Sequence, residues 1–291
     1  MNRFDRNERL FGREGQEKLR RTHIAVPGCG GLGEYVAQQL ALLGVGELTL
    51  IDDEDLSRSN LNRYPLARHE DPIPGTAKVD IVARAVSAID PDIKINKVRK
   101  GLRSIAAFKA LHRANLIIGC FDNDGARLVL TEFALAYRKD YFDLASDISA
   151  EGSLRYGGRI LFTGAEYGCP ICFGEIDLAQ ARIDLESDAS RRDRERIYGI
   201  NKSALDEGGP SVVSINGVVA SLAVTEVMVY VTGLRIPKRL IFYRGNQGIV
   251  TVSKDEPTPR CYFCEVIKRA GANANVERYL LEDETVSPEI A

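Results

Sequence analysis

Histidine is scarce in this chain: His23, His69 and His112 are the only three among 291 residues. A catalytic triad built on imidazole, or a histidine-rich metal centre, is poorly supported, so chemistry must run mainly on Asp, Arg, Lys and Ser. An excess of charge is lacking too, with 39 Lys+Arg against 41 Asp+Glu and a net charge of −2. No bulk field favours nucleic acid or anionic lipid as a partner. No run approaches the ~18 consecutive apolar residues of a membrane span. The opening residues, from Met1 to Arg6, lack the apolar core of a signal peptide. Internal repeats and low-complexity linkers are missing as well. The expectation is a soluble cytoplasmic protein with neither a nucleic-acid nor a membrane partner.

Cysteine, by contrast, is present in a pattern. Four of the six cysteines form two pairs with the same spacing, Cys169 with Cys172 and Cys261 with Cys264. Two intervening residues let two thiolates reach one ion, and two such pairs complete a tetrahedral sulfur shell for zinc. In a reducing cytoplasm these are better read as metal ligands than as disulfides. Cys29 and Cys120 fall inside apolar strand-and-turn patterns and read as structural.

A chain that is 44% hydrophobic over 291 residues can bury a substantial core. Residues 6–21 read as a leading helix. Residues 23–27 form a short strand that runs into Gly28-Cys29-Gly30-Gly31-Leu32-Gly33, and residues 34–43 a helix stopped by Gly44. Residues 48–51, 93–98 and 115–120 read as further strands, with helices over 76–89 and 107–113. This alternation predicts an α/β protein with a doubly wound, mainly parallel, Rossmann-like sheet. Strands over 159–162 and 239–243 predict an antiparallel extension toward the C-terminus, carrying the structural four-cysteine zinc site. Residues 176–209 are a polar stretch read as a crossover loop or exposed helix. Residues 212–231 are an apolar helix with small residues on one face (Ser214, Gly217, Ser221), expected to be buried against the sheet or a second subunit. One domain over 1–291 is expected, with a helical arm (1–22), a nucleotide-binding half (23–150) and a half for substrate and dimer contacts (151–291).

The glycine turn follows a strand and opens a helix, where backbone N–H groups and the helix dipole favour a phosphate. Asp52 ends the next strand, 19 residues after Gly33, placed to accept hydrogen bonds from ribose hydroxyls. A dinucleotide oxidoreductase would share both features. Asn60, Arg63 and Lys78 add polar and cationic groups that suit the roughly four charges of a triphosphate better than a pyrophosphate. Asp122 and Asn123, at the carboxyl edge of the sheet, suit magnesium, which prefers carboxylate and phosphate oxygens. Singly, Arg63 and Lys78 read equally well as surface charges and Asp122 as a helix N-cap; together, the reading is ATP.

The order Arg3-Phe4-Asp5-Arg6, Gly15-Gln16, the glycine turn, Asp52, Asn60, Arg63, Gly75, Lys78, Cys120, Asp122, Asn123 and the two cysteine pairs resembles the ubiquitin-activating-enzyme superfamily. The resemblance, from residue 3 to about 264, is strongest to the small bacterial adenylyltransferases of the ThiF, MoeB and HesA type. It implies an adenylyltransferase, usually a homodimer, that uses ATP and Mg²⁺ to activate the C-terminal glycine carboxylate of a ubiquitin-like protein. By position, Gly31 would meet the phosphates and Asp52 the ribose. Asn60, Arg63 and Lys78 would hold the triphosphate, Asp122 the magnesium, and Asn123 and Arg127 would complete the nucleotide site. Arg6 matches an arginine that the family supplies from the partner subunit. The carboxylate nucleophile is already ionised near neutral pH, so no general base is needed and few histidines suffice.

The chain departs from that pattern in the loop before the apolar helix, where many members carry a cysteine that captures the activated acyl group. Here the position falls on Ser203, which would have to form an oxyester; a hydroxyl is a weaker nucleophile than a thiolate, but an acyl-adenylate is a reactive acceptor. Glu54 stands where an Asp is usual, and Tyr64 where Gln is common. The expected function is adenylation of a ubiquitin-like protein, with a possible downstream carrier (conjugating) enzyme in a bacterial conjugation system. Four alternatives remain open: a sulfur-carrier adenylyltransferase for molybdopterin or thiamine synthesis, a short-peptide adenylyltransferase, a non-catalytic subunit binding a ubiquitin-like partner, and a nicotinamide oxidoreductase.

Overall fold

The computed structural model describes residues 2–149, 154–164, 167–186 and 210–281. Strands β1 (His23–Pro27), β2 (Glu47–Ile51), β3 (Lys94–Val98), β4 (Leu116–Gly119) and β5 (Asp140–Ser149) pair in parallel. Strands β6 (Arg155–Thr163), β7 (Leu240–Arg244) and β8 (Ile249–Val252) continue the same sheet antiparallel, in the order β3-β2-β1-β4-β5-β6-β7-β8. The expected doubly wound sheet with its antiparallel extension is what the chain forms.

Every residue of β1 is buried, because a parallel sheet is covered on both faces. Successive side chains alternate between two cores. Ile24 and Val26 pack with α2 (Gly33–Leu43) and α3 (Lys78–Ile89), while Ala25 packs with α4 (Ile105–Arg113) and α5 (Asp124–Ala136). Helix α2 ends where the sequence puts the stop: Gly44 has φ 83° and donates its N–H to the Ala41 carbonyl at 3.1 Å. The leading helix α1 (Asp5–Arg21) breaks at Gly12, with φ 74°.

Several elements differ from the sequence reading. The helix expected from residue 76 starts at Lys78, because Thr76 and Ala77 are held extended against Asp55 and Leu56. Within the polar stretch 176–209, Leu178–Asp184 forms a short helix, α6, capped by Asp177; residues 187–209 lie outside the described residues. Helix α5, which the sequence reading leaves out, is buried around almost its whole circumference. Strand β5 was hidden by its aspartates, of which Asp143 is fully buried. Strand β8 is four residues long.

The long apolar helix, α7 (Val213–Thr232), packs on α1, α2, β5 and β6 through Val219, Ala220, Ala223 and Val227. It is long and apolar enough to cross a membrane, yet its apolar side chains are mostly in the core. The helix is buried against the sheet, as expected, while on its small-residue face Ser214 and Ser221 are exposed and Gly217 half-buried. The small residue that lets α7 approach the sheet is Gly158 of β6, where a Cβ would lie 2.5 Å from a Val219 methyl group. Past β8, helical turns from Phe263 to Tyr279 fold back over α5.

Candidate active site

A cavity of about 560 Å³ opens at the carboxyl ends of the parallel strands. It lies where β1 and β4 diverge to opposite sides of the sheet, the position at which open α/β sheets bind ligands. Its floor is the glycine turn. Gly28 has φ 88°, and a Cβ there would lie 2.8 Å from the Cys120 carbonyl oxygen. A Cβ at Gly33 would fall 1.8 Å from the Gly28 carbonyl oxygen, so the turn closes only with glycine at both places. Cys29 is fully buried and Cys120 nearly so, as structural cysteines should be.

Asp52 sits at the end of β2 and accepts two backbone hydrogen bonds, from Cys29 N–H at 2.7 Å and from Glu54 N–H at 2.9 Å. Burial pushes its carboxyl up, while those N–H groups and nearby Lys78 hold it down. Lys78 is buried at the start of α3 and its ammonium pairs with the Glu54 carboxylate, so the unusual Glu54 already has a cationic partner. Tyr64 packs beneath the turn and donates its hydroxyl to the Cys29 carbonyl at 2.6 Å. Arg63 is tethered to the Ser59 carbonyl at 2.6 Å, and Asn60 accepts the Ser57 N–H at 3.2 Å; both line the cavity. These bonds fix the loop that brings the two polar side chains over the glycine turn.

On the far wall Asn123, not Asp122, is the N-cap of α5, with its Oδ1 accepting Ala126 N–H at 2.8 Å. That leaves the Asp122 carboxylate exposed on the cavity wall, free to ligate a hard cation. None of the three histidines lines the cavity.

Two expected site residues lie elsewhere. Arg127 is buried behind the wall, and its guanidinium is consumed by Asp143 at 2.7 Å and 3.1 Å, Asp124 at 2.6 Å and the Glu175 carbonyl at 2.7 Å. Its bonds hold α5 against β5 and the segment that follows the first cysteine pair. Arg6 is exposed on α1, whose start is anchored by Phe4 in a second cavity of about 380 Å³ lined also by Glu47 and Lys94, the first residues of β2 and β3. That is the opposite edge of the sheet from the glycine turn. Ser203 lies outside the described residues.

Asn216, in the first turn of α7, went unnoticed in the sequence. It is buried, lines the cavity, and its Nδ2 lies 2.6 Å from where a Cβ at Gly31 would be. An amide at the head of an otherwise apolar helix was the available signal. Ser146, Asp147 and Ile148 of β5 also line the cavity and were missed because β5 itself was.

The four paired cysteines converge. Their sulfur atoms lie within 4.8 Å of one another, with Cys169–Cys172 at 3.5 Å, Cys169–Cys261 at 3.9 Å and Cys172–Cys264 at 3.3 Å. Four thiolates around a tetrahedral zinc at about 2.3 Å would be about 3.8 Å apart, so the set fits that ion, whereas a disulfide needs about 2.0 Å. Four sulfur ligands would fill a tetrahedral shell, which suits a closed structural centre.

A family model described as the ThiF family matches residues 4–265. The chain belongs to the ThiF family. It is 40% identical over 119 residues to the molybdopterin-synthase adenylyltransferase of Salmonella typhimurium, a match covering 41% of this chain and 47% of that protein. It spans about half the length of that curated relative. The molybdopterin-synthase adenylyltransferase of Escherichia coli is 29% identical over 260 residues, covering 88% of this chain and 92% of that one. Among solved structures, Escherichia coli MccB superposes with a TM-score of 0.67 at 20% identity, covering 91% of this ThiF-family chain and 75% of the other. At that identity the likeness is one of fold.

Proposed function

We propose that this chain binds ATP and adenylates the C-terminal glycine carboxylate of a ubiquitin-like protein. The observation that carries the reading is the single cavity that gathers the glycine turn, Asp52, Asn60, Arg63, Lys78 and Asp122 at the β1/β4 switch point. In this reading Asp52 accepts the ribose hydroxyls and the Gly30 and Gly31 backbone approaches the phosphates. Arg63, Asn60 and Lys78 neutralise the triphosphate, with Lys78 exchanging Glu54 for phosphate oxygens.

One carboxylate oxygen attacks the α-phosphorus, and the bond from that phosphorus to the bridging oxygen of the β-phosphate breaks. The electron pair leaves with pyrophosphate and an acyl-adenylate remains. No proton moves, in keeping with a cavity that has no histidine. Acceleration comes from holding the reactants in line and neutralising charge on the leaving group. Asp122 would hold Mg²⁺, which supplies part of that neutralisation, and the exposed Asn123 flanks it. Arg6, on the sheet edge away from its own cavity, would serve the cavity of a second copy, which makes the working unit a homodimer. Zinc on Cys169, Cys172, Cys261 and Cys264 would tie the C-terminal turns to α5 and take no part in the reaction.

ATP–pyrophosphate exchange, measured with ubiquitin-like proteins ending in glycine, tests the reading: exchange that depends on the carrier is expected, and silence with all of them rejects it. The name of a further curated relative, the sulfur carrier protein ThiS adenylyltransferase of Escherichia coli, favours a sulfur-carrier protein as the substrate. Ser203 would add a second step, an oxyester formed as AMP leaves, before transfer to a conjugating enzyme. An unchanged hydroxylamine-labile adduct in Ser203→Ala would remove that step.

A further inference from the structure

The family match stops at residue 265, yet the chain runs on past it and reaches the cavity at Leu281. This extra segment is firmly attached. Val276 is fully buried. Arg278 and Tyr279 both donate to the buried Glu132 carboxylate of α5, at 2.5 Å and 2.7 Å. From there the chain turns to the loop that follows β3. The Leu281 N–H donates to the Arg103 carbonyl at 3.0 Å. In return Arg103 donates its Nε to the Tyr279 carbonyl at 2.8 Å and its Nη1 to the Leu185 carbonyl at 3.0 Å. One residue thus stitches the β3 loop, the end of α6 and the C-terminal turn together. Arg103, Leu185 and Leu281 all line the cavity.

The wall they complete differs from the one opposite. Arg63 and Lys78 come from the loop and helix on the α2–α3 side of the sheet, so the triphosphate belongs there. On the α4–α5 side the cavity is lined by Leu102, Phe121 and Ala126, and the Arg103 guanidinium is committed to two carbonyls. With the ribose on Asp52, between the two sides, the uncharged base meets the apolar wall, where burying its faces is favourable. Resting on the function proposed above, we infer that the C-terminal turn is part of the nucleotide site: Leu281 closes the base end of the cavity, and Arg103 is the positioning residue that holds it there. A bare phosphate chain gains nothing from this wall, whereas a nucleoside triphosphate does. The added turn therefore sets how tightly the nucleotide is held and leaves the in-line attack to the opposite side.

The test uses the full chain and calorimetry of ATP and of inorganic tripolyphosphate, each with Mg²⁺. Arg103→Met keeps the apolar stem and removes the donors. It is expected to weaken ATP about tenfold and tripolyphosphate by less than about twofold. Leu281 is 49% exposed, so Leu281→Ala leaves the core intact; it is expected to weaken ATP about fivefold with the same selectivity. Should Arg103→Met fail to fold, Leu281→Ala decides alone. Unchanged ATP affinity in Leu281→Ala, or equal weakening of both ligands, overturns the assignment. So does a wild-type chain that binds ATP no tighter than tripolyphosphate. In ATP–pyrophosphate exchange the variants should raise KM for ATP and hold kcat within about twofold; a fall in kcat at unchanged KM also overturns it. If no ubiquitin-like protein supports exchange while ATP binding still depends on Leu281, the functional reading has failed and the C-terminal turn keeps its place in the nucleotide site.

Discussion

Glu34 opens α2 directly after the glycine turn and is fully buried, with Oε2 accepting the Leu66 N–H at 3.2 Å and Oε1 unpaired. Burial pushes its carboxyl up to about 8, opposed by that single hydrogen bond. A carboxyl raised in the folded state keeps its proton after the unfolded chain has lost one. Stability should therefore fall as pH rises from about 4.3, the unfolded value, to about 8, by on the order of a few kcal/mol. Glu34→Gln is expected to flatten this slope in urea melts at pH 6 and pH 8.5; an unchanged slope would mean that Glu34 ionises freely. On the cationic side of the cavity, Lys78→Ala is expected to slow ATP–pyrophosphate exchange by about 100-fold, the usual scale for a lost transition-state donor. A loss below about threefold would return Lys78 to the structural partner of Glu54.

At the scale of elements, the wall that presents Asp122 is held by a charge network. Asp124 accepts the Asp177 N–H at 2.9 Å and Asp184 accepts the Gly125 N–H at 3.0 Å, so both ends of α6 are latched to the head of α5. A Cβ at Gly125 would lie 2.7 Å from the Asp184 Cβ, which keeps that junction to glycine. Arg127 ties the same helix to Asp143 and to the Glu175 carbonyl, just past the first cysteine pair. Removing Arg127 leaves the buried Asp143 carboxylate with only Arg159 at 3.6 Å and the Tyr141 hydroxyl at 2.8 Å, so Arg127→Met is expected to cost about 3 kcal/mol in chemical unfolding. ATP affinity should be lost in step with folding and not beyond it; a selective loss of ATP binding in folded protein would restore Arg127 to the nucleotide site. The cysteine cluster sits at the far end of this chain of contacts, and Thr258 donates both its N–H and its hydroxyl to the Cys172 carbonyl. Chelation is expected to release one zinc per chain and lower the melting temperature, with faster hydrogen exchange in α5 and residues 261–279.

At the scale of the molecule, the arm bearing Arg6 and the cavity it would serve are at opposite sheet edges. Phe4 packs into the Gly44 turn, where a Cβ would fall 2.6 Å from its ring, and Gln16 donates to the Leu43 carbonyl at 2.8 Å, so the arm is fixed in place. If the working unit is a homodimer, Arg6→Ala and Asp122→Asn should each be inactive alone. Mixing and re-associating them should recover about a quarter of normal activity, since half the dimers carry one intact site. No recovery would confine Arg6 to its own chain. Much of this organisation was legible in the residues. The glycine turn, Asp52, Lys78 and the cysteine pairs signal by local spacing, because close backbone approach, strand ends and metal chelation are short-range constraints. Sequence position alone does not show that Arg127 is paired with the buried Asp143, 16 residues on. The unpaired acceptor of Asn216 and the open end of β5 needed the fold for a related reason: each is defined by which neighbours are missing among the described residues. The sequence by itself determined the doubly wound class of the sheet, the glycine turn and the pairing of the four cysteines. Only the tertiary structure decided which charges face the cavity and which are spent in the wall, since burial and pairing arise when segments distant in sequence pack.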